Sequence, residues 1–204
     1  FEYSEEDHSG TFHIRQADSE CKLSLSSCCI GTVMFSNINM PVDIVGCDLD
    51  DGASFVGSRI TGFSLKTKES KPKVSIDFIS TMINDPDVSP GCSFTGKWKD
   101  SSISVSPGSK GVLRNVHFVP SNGIRSNWID IPNAEAPPAL QLNGSRFDGA
   151  KSRLSIVNTD FSNCDLSNVV FSFCHFVDCT FSPYLISTEF INCILENCFF
   201  DNND

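Results

Sequence analysis

Ten cysteines and four histidines are the residues in this 204-residue sequence that are most able to bind a metal or act as nucleophiles. A structural zinc site usually takes thiolates from pairs of the type Cys-x-x-Cys. The sequence contains no such pair, and its two closest cysteines, Cys28 and Cys29, are adjacent. The histidines are scattered, at His8, His13, His117 and His175. We therefore predict no metal site and no cofactor, and we interpret the histidines as surface or packing residues.

Catalytic motifs are also missing from the sequence. It lacks the Gly-x-Ser-x-Gly, Gly-x-x-x-x-Gly-Lys-Ser/Thr and His-Glu-x-x-His patterns, which mark serine hydrolases, phosphate loops and zinc proteases. The neighbouring carboxylates Asp50 and Asp51 have no evident acid–base partner. Gly108, Lys110 and Gly111 belong to a stretch that we interpret as an exposed turn rather than an anion site. We predict no catalytic residues, because no nucleophile–base arrangement is visible.

Charge and hydropathy argue against two further classes of partner. The formal net charge is -10, with 25 acidic and 15 basic residues, whereas nucleic-acid binding needs clustered Lys and Arg that neutralise phosphates. No apolar run approaches the roughly 20 residues that a membrane helix needs. We therefore predict that the protein binds neither nucleic acid nor a membrane. Because the sequence begins with Phe1 and has no signal peptide, we expect it to be a segment of a longer protein.

A large apolar residue recurs every five positions near the C-terminus, although neither a helix nor a strand has this period. The recurring residues, here called centres, are Phe161, Leu166, Phe171, Phe176 and Phe181, and after a slip of one residue Phe190, Leu195 and Phe200. Two positions before the first five lie slender residues, Thr159, Cys164, Val169, Cys174 and Cys179. A fixed self-similar period predicts a solenoid whose units bury their inner faces by stacking.

In this repeat the sequence resembles pentapeptide-repeat proteins. The resemblance implies an all-β fold, a right-handed quadrilateral β-helix with one pentapeptide per wall and about twenty residues per coil. We divide the chain into a lead-in or cap over 1–20, coils over 21–67, a loop-rich interruption over 68–139 and coils over 140–204. Pro and Gly crowd the interruption, which indicates either irregular coils with loops or a small β insertion domain.

The proposed coils predict which residues stack one coil apart, at the strand spacing of about 4.8 Å. In the C-terminal coils the predicted stacks are Phe161 on Phe181 on Phe200, Leu166 on Ile186, Phe171 on Phe190 and Phe176 on Leu195. In the N-terminal coils they are Leu23 on Ile44 on Leu65, Val33 on Phe55 and Ile38 on Ile60. Cys174 is predicted to lie under Cys193, and Cys179 under Cys198.

Most of the cysteines fall in the slender inward position of the repeat, where alanine would also fit. Free cysteine behaves as a small buried hydrophobe, so we predict thiols rather than disulfides. Such a number of thiols indicates a reducing cytosol. Stacked cysteines one coil apart are nevertheless within the Cα range of a disulfide, about 4.4 to 6.8 Å.

A solenoid offers long faces and few clefts, which favours a non-catalytic protein–protein interaction module. Large aromatics on a rigid scaffold are typical anchors of interfaces. The candidates are Phe173, Tyr184, Trp98 and Trp128, with a core position as the alternative for Trp128. The last coil would expose Phe199 and Phe200, from which we also expect end-to-end self-association, because terminal repeats need a cap.

The length and the richness in Cys, Asn, Ser and Phe are also similar to the N-terminal β-helix domain of bacterial HECT-like effector ubiquitin ligases. That resemblance implies a partner- or substrate-recruiting domain of a larger effector, delivered into the host cytosol. The alternative is the DNA-mimicking class of pentapeptide-repeat proteins that bind DNA gyrase, which the acidic charge allows. Against it, no continuous acidic stripe is evident, and Lys66, Lys68, Lys71 and Lys73 form a basic cluster.

Overall fold

Strands are the only regular elements in the part of the chain that the structure describes. The structure is a computed structural model that describes residues 11–18, 22–27, 29–66, 73–90, 92–94, 98–99, 101–106, 109–118, 129–130, 138–150 and 154–200. Over these ranges, no helix has the length and hydropathy needed to cross a membrane.

The strands are short and follow one another closely along the chain. The first thirteen are β1 (Thr11–Arg15), β2 (Leu23–Ser26), β3 (Cys29–Ser36), β4 (Asn39–Val45), β5 (Asp48–Val56), β6 (Arg59–Lys66), β7 (Lys73–Val74), β8 (Ile76–Ile79), β9 (Met82–Asn84), β10 (Pro86–Val88), β11 (Ser93–Phe94), β12 (Trp98–Lys99) and β13 (Ser102–Ser104). The others are β14 (Gly111–Val112), β15 (His117–Phe118), β16 (Ile129–Asp130), β17 (Leu140–Gln141), β18 (Arg146–Asp148), β19 (Leu154–Val157), β20 (Cys164–Asp165), β21 (Val170–Ser172), β22 (Cys174–Val177), β23 (Thr180–Phe181), β24 (Glu189–Ile191), β25 (Ile194–Glu196) and β26 (Phe199–Phe200).

Four walls follow from the way in which consecutive strands are distributed over sheets. Strands β20, β21, β22 and β23 follow each other in one coil, yet each belongs to a different sheet. Every strand pairs in parallel with the strand one coil earlier or later, as β21 does with β18 and β24. This is the arrangement of a β-solenoid with four walls, so the predicted pentapeptide-type β-helix is confirmed.

Ring stacking confirms the predicted register of the C-terminal coils. The ring centroids of Phe161 and Phe181 lie 5.4 Å apart, and those of Phe181 and Phe200 lie 4.9 Å apart, both in stacked geometry. Phe171 pairs with Phe190. Phe176 pairs with Leu195. A period of five residues thus corresponds to one wall, because one large and one slender residue per wall fill the interior.

Three predicted stacks in the first coils are wrong by two residues. The residues that precede Ile44, Phe55 and Ile60 by one coil are Leu25, Phe35 and Met40, whereas the prediction placed Leu23, Val33 and Ile38 there. In a strand, residues two apart point to the same side, and here both inward positions carry large side chains. Residue size therefore does not distinguish the centre from the slender position in these coils. The predicted pairing of Ile44 with Leu65 is confirmed.

The stack of Leu166 on Ile186 is also wrong, in this case by one residue. The Leu166 amide donates a hydrogen bond to the Tyr184 carbonyl at 3.1 Å, which in a parallel pair aligns Leu166 with Leu185. Leu185 packs against the core, whereas Ile186 is 71% exposed. The one-residue slip therefore lies before Leu185, in a shortened wall.

The described strands between residues 68 and 139 continue the same walls. Strand β9 pairs with β6 on one side and with β13 on the other. Coil length varies here: one coil takes 20 residues from Ile83 to its partner Ile103, and another takes 29 residues from Val112 to Gln141. The paired residues keep their register although the number of residues per coil differs.

Two aromatic columns run through the interior and meet at one tryptophan. The first column consists of Phe35, Phe55, Phe78 and Trp98, with successive centroids 4.4, 5.4 and 4.6 Å apart. The second consists of Phe94, Phe118, Phe147, Phe171 and Phe190, with centroids 4.6 to 5.7 Å apart. Trp98 contacts both Phe94 and Phe118 edge to face, so it joins the columns.

Candidate interaction surface

Many of the corners between walls are formed by a single residue with a positive φ angle. Excluding glycine, the described residues with positive φ are Gln16, Ser27, Asn37, Ser80, Asp85, Asn115, Asn158, Asn168, Phe173, Asp178, Ser187, Asn192 and Asn197. At many of these corners the amide donates to a carbonyl of the next coil, as Asn158 does to Val177 at 2.9 Å. Because Asn and Asp tolerate this left-handed conformation better than other residues with a Cβ atom, polar corners are expected.

Phe173 is the exception among these corner residues. It has a φ of 55°, and its side chain is 43% exposed. Its amide makes the usual corner hydrogen bond, to the carbonyl of Ile191 at 2.9 Å. The preceding coil carries Gly149 at this corner, where a Cβ atom would collide with the Phe173 carbonyl oxygen. The corner therefore fits closely on the coil below while the aromatic ring points outward.

Two isoleucines of the last described coil extend the apolar surface around Phe173. Ile191 is 40% exposed and Ile194 is 36% exposed. Ile191 is the Cα partner of Ser172 and Ile194 that of His175, which places one on each side of the Phe173 corner. We call Phe173, Ile191 and Ile194 the corner patch. Sequence reasoning missed both isoleucines, although apolar residues in the outward positions next to centres were a signal for them.

Acidic side chains border the corner patch. Glu189 and Glu196 are exposed on the two walls that meet there. The His175 Nε2 atom lies 3.1 Å from the Glu196 Oε1 atom, so the imidazole and the carboxylate face each other across adjacent coils. The arrangement can bind an apolar side chain at the corner with a cationic group beside it.

Tyr184 lies on the diagonally opposite corner of the same coil. It is 37% exposed, and its amide donates to the Ser182 Oγ atom at 2.9 Å. It follows β23, between the fourth wall and the first, whereas Phe173 lies between the second and the third. Two of the four aromatics that the sequence predicted at the surface are therefore exposed, but they do not form one surface.

The prediction that Trp98 lies on an exposed loop is wrong. Trp98 is only 4% exposed, because strand β12 pairs with β8 and turns the indole into the interior at the junction of the aromatic columns. The surrounding Pro and Gly suggested a loop, but the residue itself belongs to a wall. Trp128 lies outside the described residues.

The outer faces of the walls carry acids interspersed with other residues. On one wall, Asp43, Ser64 and Asp87 occupy successive coils. Lys22 lies 2.7 Å from Asp43, and its hydrogen bond holds the pKa of that carboxyl below its ordinary value. Lys66 contacts Asp87 at 2.5 Å. These acids are partly neutralised and do not form a continuous negative stripe on this wall.

The inward position is confirmed for the fully buried cysteines, whereas Cys21 lies outside the described residues. Cys164, Cys174 and Cys179 are 0% exposed, and burial raises the pKa of Cys164 and that of Cys179 to about 11. Cys193 differs, because a hydrogen bond from the Cys174 thiol lowers its pKa to about 7. The same hydrogen bond, together with burial, raises the pKa of Cys174. Within the described ranges, no three His, Cys, Asp or Glu side chains are grouped to hold a metal ion.

Comparison with known proteins gives a family match over part of the chain. The family model for pentapeptide repeats (8 copies) matches residues 153–182, which contain β20 to β23. No curated protein sequence matches the chain. Among solved structures, the chain is similar to QnrB1, a plasmid-mediated fluoroquinolone resistance protein, with 15% identity, a TM-score of 0.33, and coverage of 95% of this chain and 93% of that chain. The more specific resemblance to HECT-like effector domains finds no support here.

Proposed function

We propose that this pentapeptide-type solenoid is a non-catalytic protein–protein interaction module whose contact site is the corner patch of Phe173, Ile191 and Ile194. The walls present rigid, regularly spaced side chains, and a rigid scaffold lowers the entropy that an interface must overcome on binding. The buried stacks of Phe171 and Phe176 on either side of the corner fix the position of Phe173.

The backbone of Phe173 is the observation that carries this proposal. A left-handed conformation costs roughly 1–2 kcal/mol for a residue with a Cβ atom, and Asn or Gly at this corner would avoid that cost. The ring is 43% exposed, so burial within the chain offsets the cost only in part. Strained residues of this kind cluster at functional sites, and exposed aromatics are typical binding anchors.

The border of the patch indicates the chemistry of the partner. Glu189 and Glu196 lie beside the exposed isoleucines, and the whole chain carries a net charge of -10. A segment that places an apolar side chain on the corner patch and Lys or Arg next to it would complement both features. The charges would mainly accelerate association and select the partner, while the apolar contacts would supply most of the affinity.

Site-specific photo-cross-linking tests this proposal. A photoreactive benzoylphenylalanine at position 173 is expected to capture one discrete protein in cells that produce the chain. The same residue at position 158, an exposed corner on another edge, is the matched control and should not capture it. With the captured partner purified, Phe173→Asn should weaken binding at least about tenfold, as expected for a hot spot. Equal capture at both positions, or unchanged affinity, would refute the proposal.

A larger bacterial effector is the setting in which we place this module, with the chain recruiting partners or substrates for a catalytic domain elsewhere. The inward thiols support a reducing compartment such as the bacterial or host cytosol. The sequence that flanks the 204 residues tests this part of the proposal: a ligase-type catalytic domain would support it, and a stand-alone open reading frame would contradict it.

The DNA-mimicking alternative would require a negative stripe that gyrase could read as a phosphate backbone. Asp43 and Asp87 are separated by Ser64 and are each close to a lysine. This spacing and pairing weaken the DNA-mimicking interpretation for this wall. A supercoiling assay decides the matter: inhibition of DNA gyrase by the purified chain would favour the alternative, and no effect at excess protein would remove it.

End-to-end self-association is a second candidate, favoured by the apolar residues of the last described coil. Phe199 is 69% exposed and Phe200 is 44% exposed. Sedimentation of the chain should show a dimer that Phe199→Asp converts to a monomer. Ile186→Asp, at a residue that is 71% exposed on another wall of the coil, is the matched control and should leave the dimer intact. A monomer at all concentrations would contradict the candidate.

A further inference from the structure

We propose that Cys174 and Cys193 form an oxidation site, at which a peroxide converts two stacked thiols into a disulfide between the last two described coils. This site is separate from the proposed binding function, because it concerns the interior of the solenoid. The reacting groups are the Sγ atoms of the two cysteines, and the oxidant is a small peroxide such as hydrogen peroxide.

Register places the two cysteines next to each other. His175 pairs with Ile194 and Phe176 with Leu195, so the residues directly before them, Cys174 and Cys193, occupy equivalent positions in adjacent coils. Neighbouring strands lie about 4.8 Å apart, which falls in the Cα range of a disulfide, about 4.4–6.8 Å. Both side chains point inward, with the Cys174 thiol donating to the Ser172 carbonyl and the Cys193 thiol to the Phe171 carbonyl, each at 3.4 Å.

The two thiols differ in the way that a peroxide-reactive pair requires. Cys193 is partly exposed, whereas Cys174 is fully buried, so the oxidant reaches Cys193 first. The hydrogen bond from Cys174 stabilises the Cys193 thiolate and lowers its pKa to about 7. Low thiol pKa combined with solvent access is the feature shared by redox-sensitive cysteines.

The reaction is a two-electron oxidation that is balanced by one peroxide molecule. The Cys193 thiol first loses its proton to solvent; the thiolate attacks one peroxide oxygen, the O–O bond breaks, and a sulfenic acid and a hydroxide are formed, and the hydroxide takes up the released proton to give one water. The Cys174 sulfur then attacks the Cys193 sulfur, the S–O bond breaks, and a second water leaves with the Cys174 proton. The pair loses two electrons, and hydrogen peroxide is reduced to two waters.

The neighbouring stack of Cys179 and Cys198 serves as an internal comparison. It is also in register, since Thr180 pairs with Phe199. Its thiols make the same backbone contacts, with Cys198 donating to the Glu196 carbonyl at 3.4 Å as Cys193 does to the Ile191 carbonyl at 3.5 Å, so the two pairs differ in the lowered pKa of Cys193. Oxidation should therefore favour the Cys174 and Cys193 pair.

Peptide mapping after oxidation distinguishes the two pairs. The reduced, folded chain is treated with one equivalent of hydrogen peroxide, unfolded, alkylated and cleaved after Asp and Glu. This cleavage places the four cysteines on separate peptides, namely 166–178 (Cys174), 179–189 (Cys179), 190–196 (Cys193) and 197–201 (Cys198). The expected product is a cross-link of 166–178 with 190–196 that is lost on reduction, with two of the ten cysteines protected from alkylation.

Two single variants and one matched double variant control the assignment. Cys174→Ser and Cys193→Ser should each abolish the cross-link, whereas Cys179→Ser with Cys198→Ser should retain it. Circular dichroism of each variant establishes that it folds, and the oxidised wild-type chain should unfold at a higher urea concentration than the reduced one. A dominant cross-link between 179–189 and 197–201, or sulfinic acid at Cys193 without any cross-link in the folded chain, would overturn the proposal.

Discussion

Substitutions at Phe173 distinguish the energetic cost of its left-handed backbone from the stabilisation that burial of its ring provides. Phe173→Asn removes the left-handed penalty of roughly 1–2 kcal/mol, because asparagine visits this region readily. It also removes a ring that is a little more than half covered, and half of the roughly 1.5–3 kcal/mol for full burial is about 1 kcal/mol. The net change in the free energy of unfolding should lie between about zero and 1 kcal/mol of stabilisation.

Phe173→Ala is the matched control, because it removes the same ring but keeps a Cβ atom in the left-handed conformation. Alanine at a position with positive φ gains nothing from the change, so this variant should be destabilised by about 1 kcal/mol. The free energy of unfolding of the asparagine variant should then exceed that of the alanine variant by about 1–2 kcal/mol.

Urea denaturation measures this difference through the transition midpoint, provided that the denaturant slope is unchanged. If Phe173→Asn is as unstable as Phe173→Ala, or less stable, the ring contributes to packing and the backbone strain does not exist. The inference that Phe173 is retained for binding would then lose its basis.

Three further changes test the packing and titration of the solenoid. Phe181→Ala should cost about 3–5 kcal/mol of unfolding free energy, measured by urea titration, since the ring is fully buried between two stacked rings; an unchanged midpoint would contradict the stack. Gly52→Ala should lower the free energy of unfolding by more than about 1 kcal/mol, because Gly52 has a φ of 93° and no room for a Cβ atom. A thermal melt that matches wild type would count against this backbone conformation. Burial lowers the pKa of His117 from its ordinary 6.5, so the unfolded chain binds the proton more readily and stability should decline as pH falls below 6.5, until the folded-state pKa is passed. His117→Gln should flatten this decline, and parallel pH profiles of the two proteins would show that His117 does not contribute.

The walls of the C-terminal coils could be predicted from the sequence because size alternates there. Phe171 and Phe176 are large and Cys174 is slender, so the two inward positions of a wall are distinguishable. In the first coils Ile38 and Met40 are both buried and large, so an inward orientation alone leaves a choice between them. The prediction took the wrong member of the pair, which shifted three stacks by two residues.

The corners carry a weaker sequence signal than the walls. Asn158, Asn168 and Asn192 all lie two residues after a centre, and all have positive φ, so asparagine at this spacing marks a corner. Phe173 has the same spacing, which correctly predicted its exposure. Its strained backbone is evident only from the structure, because no local sequence preference would place phenylalanine in that conformation.

Trp98 shows why loop composition misleads in a solenoid with long coils. The described residues of this segment form short wall strands, and two residues suffice to turn a side chain inward. Strand β12 consists of Trp98 and Lys99 alone. A strand of that length has no periodicity that a sequence can display, so only its pairing with β8 reveals the buried indole.

Solution NMR of the chain with isotope-labelled phenylalanine tests the stacked coils and their strained corner in one sample. The structure predicts nuclear Overhauser contacts from the Phe181 ring to those of Phe161 and Phe200, whose centroids lie 5.4 and 4.9 Å away, and a positive φ at Phe173 in the coupling constants. Absent ring contacts, or an extended backbone at Phe173, would contradict it.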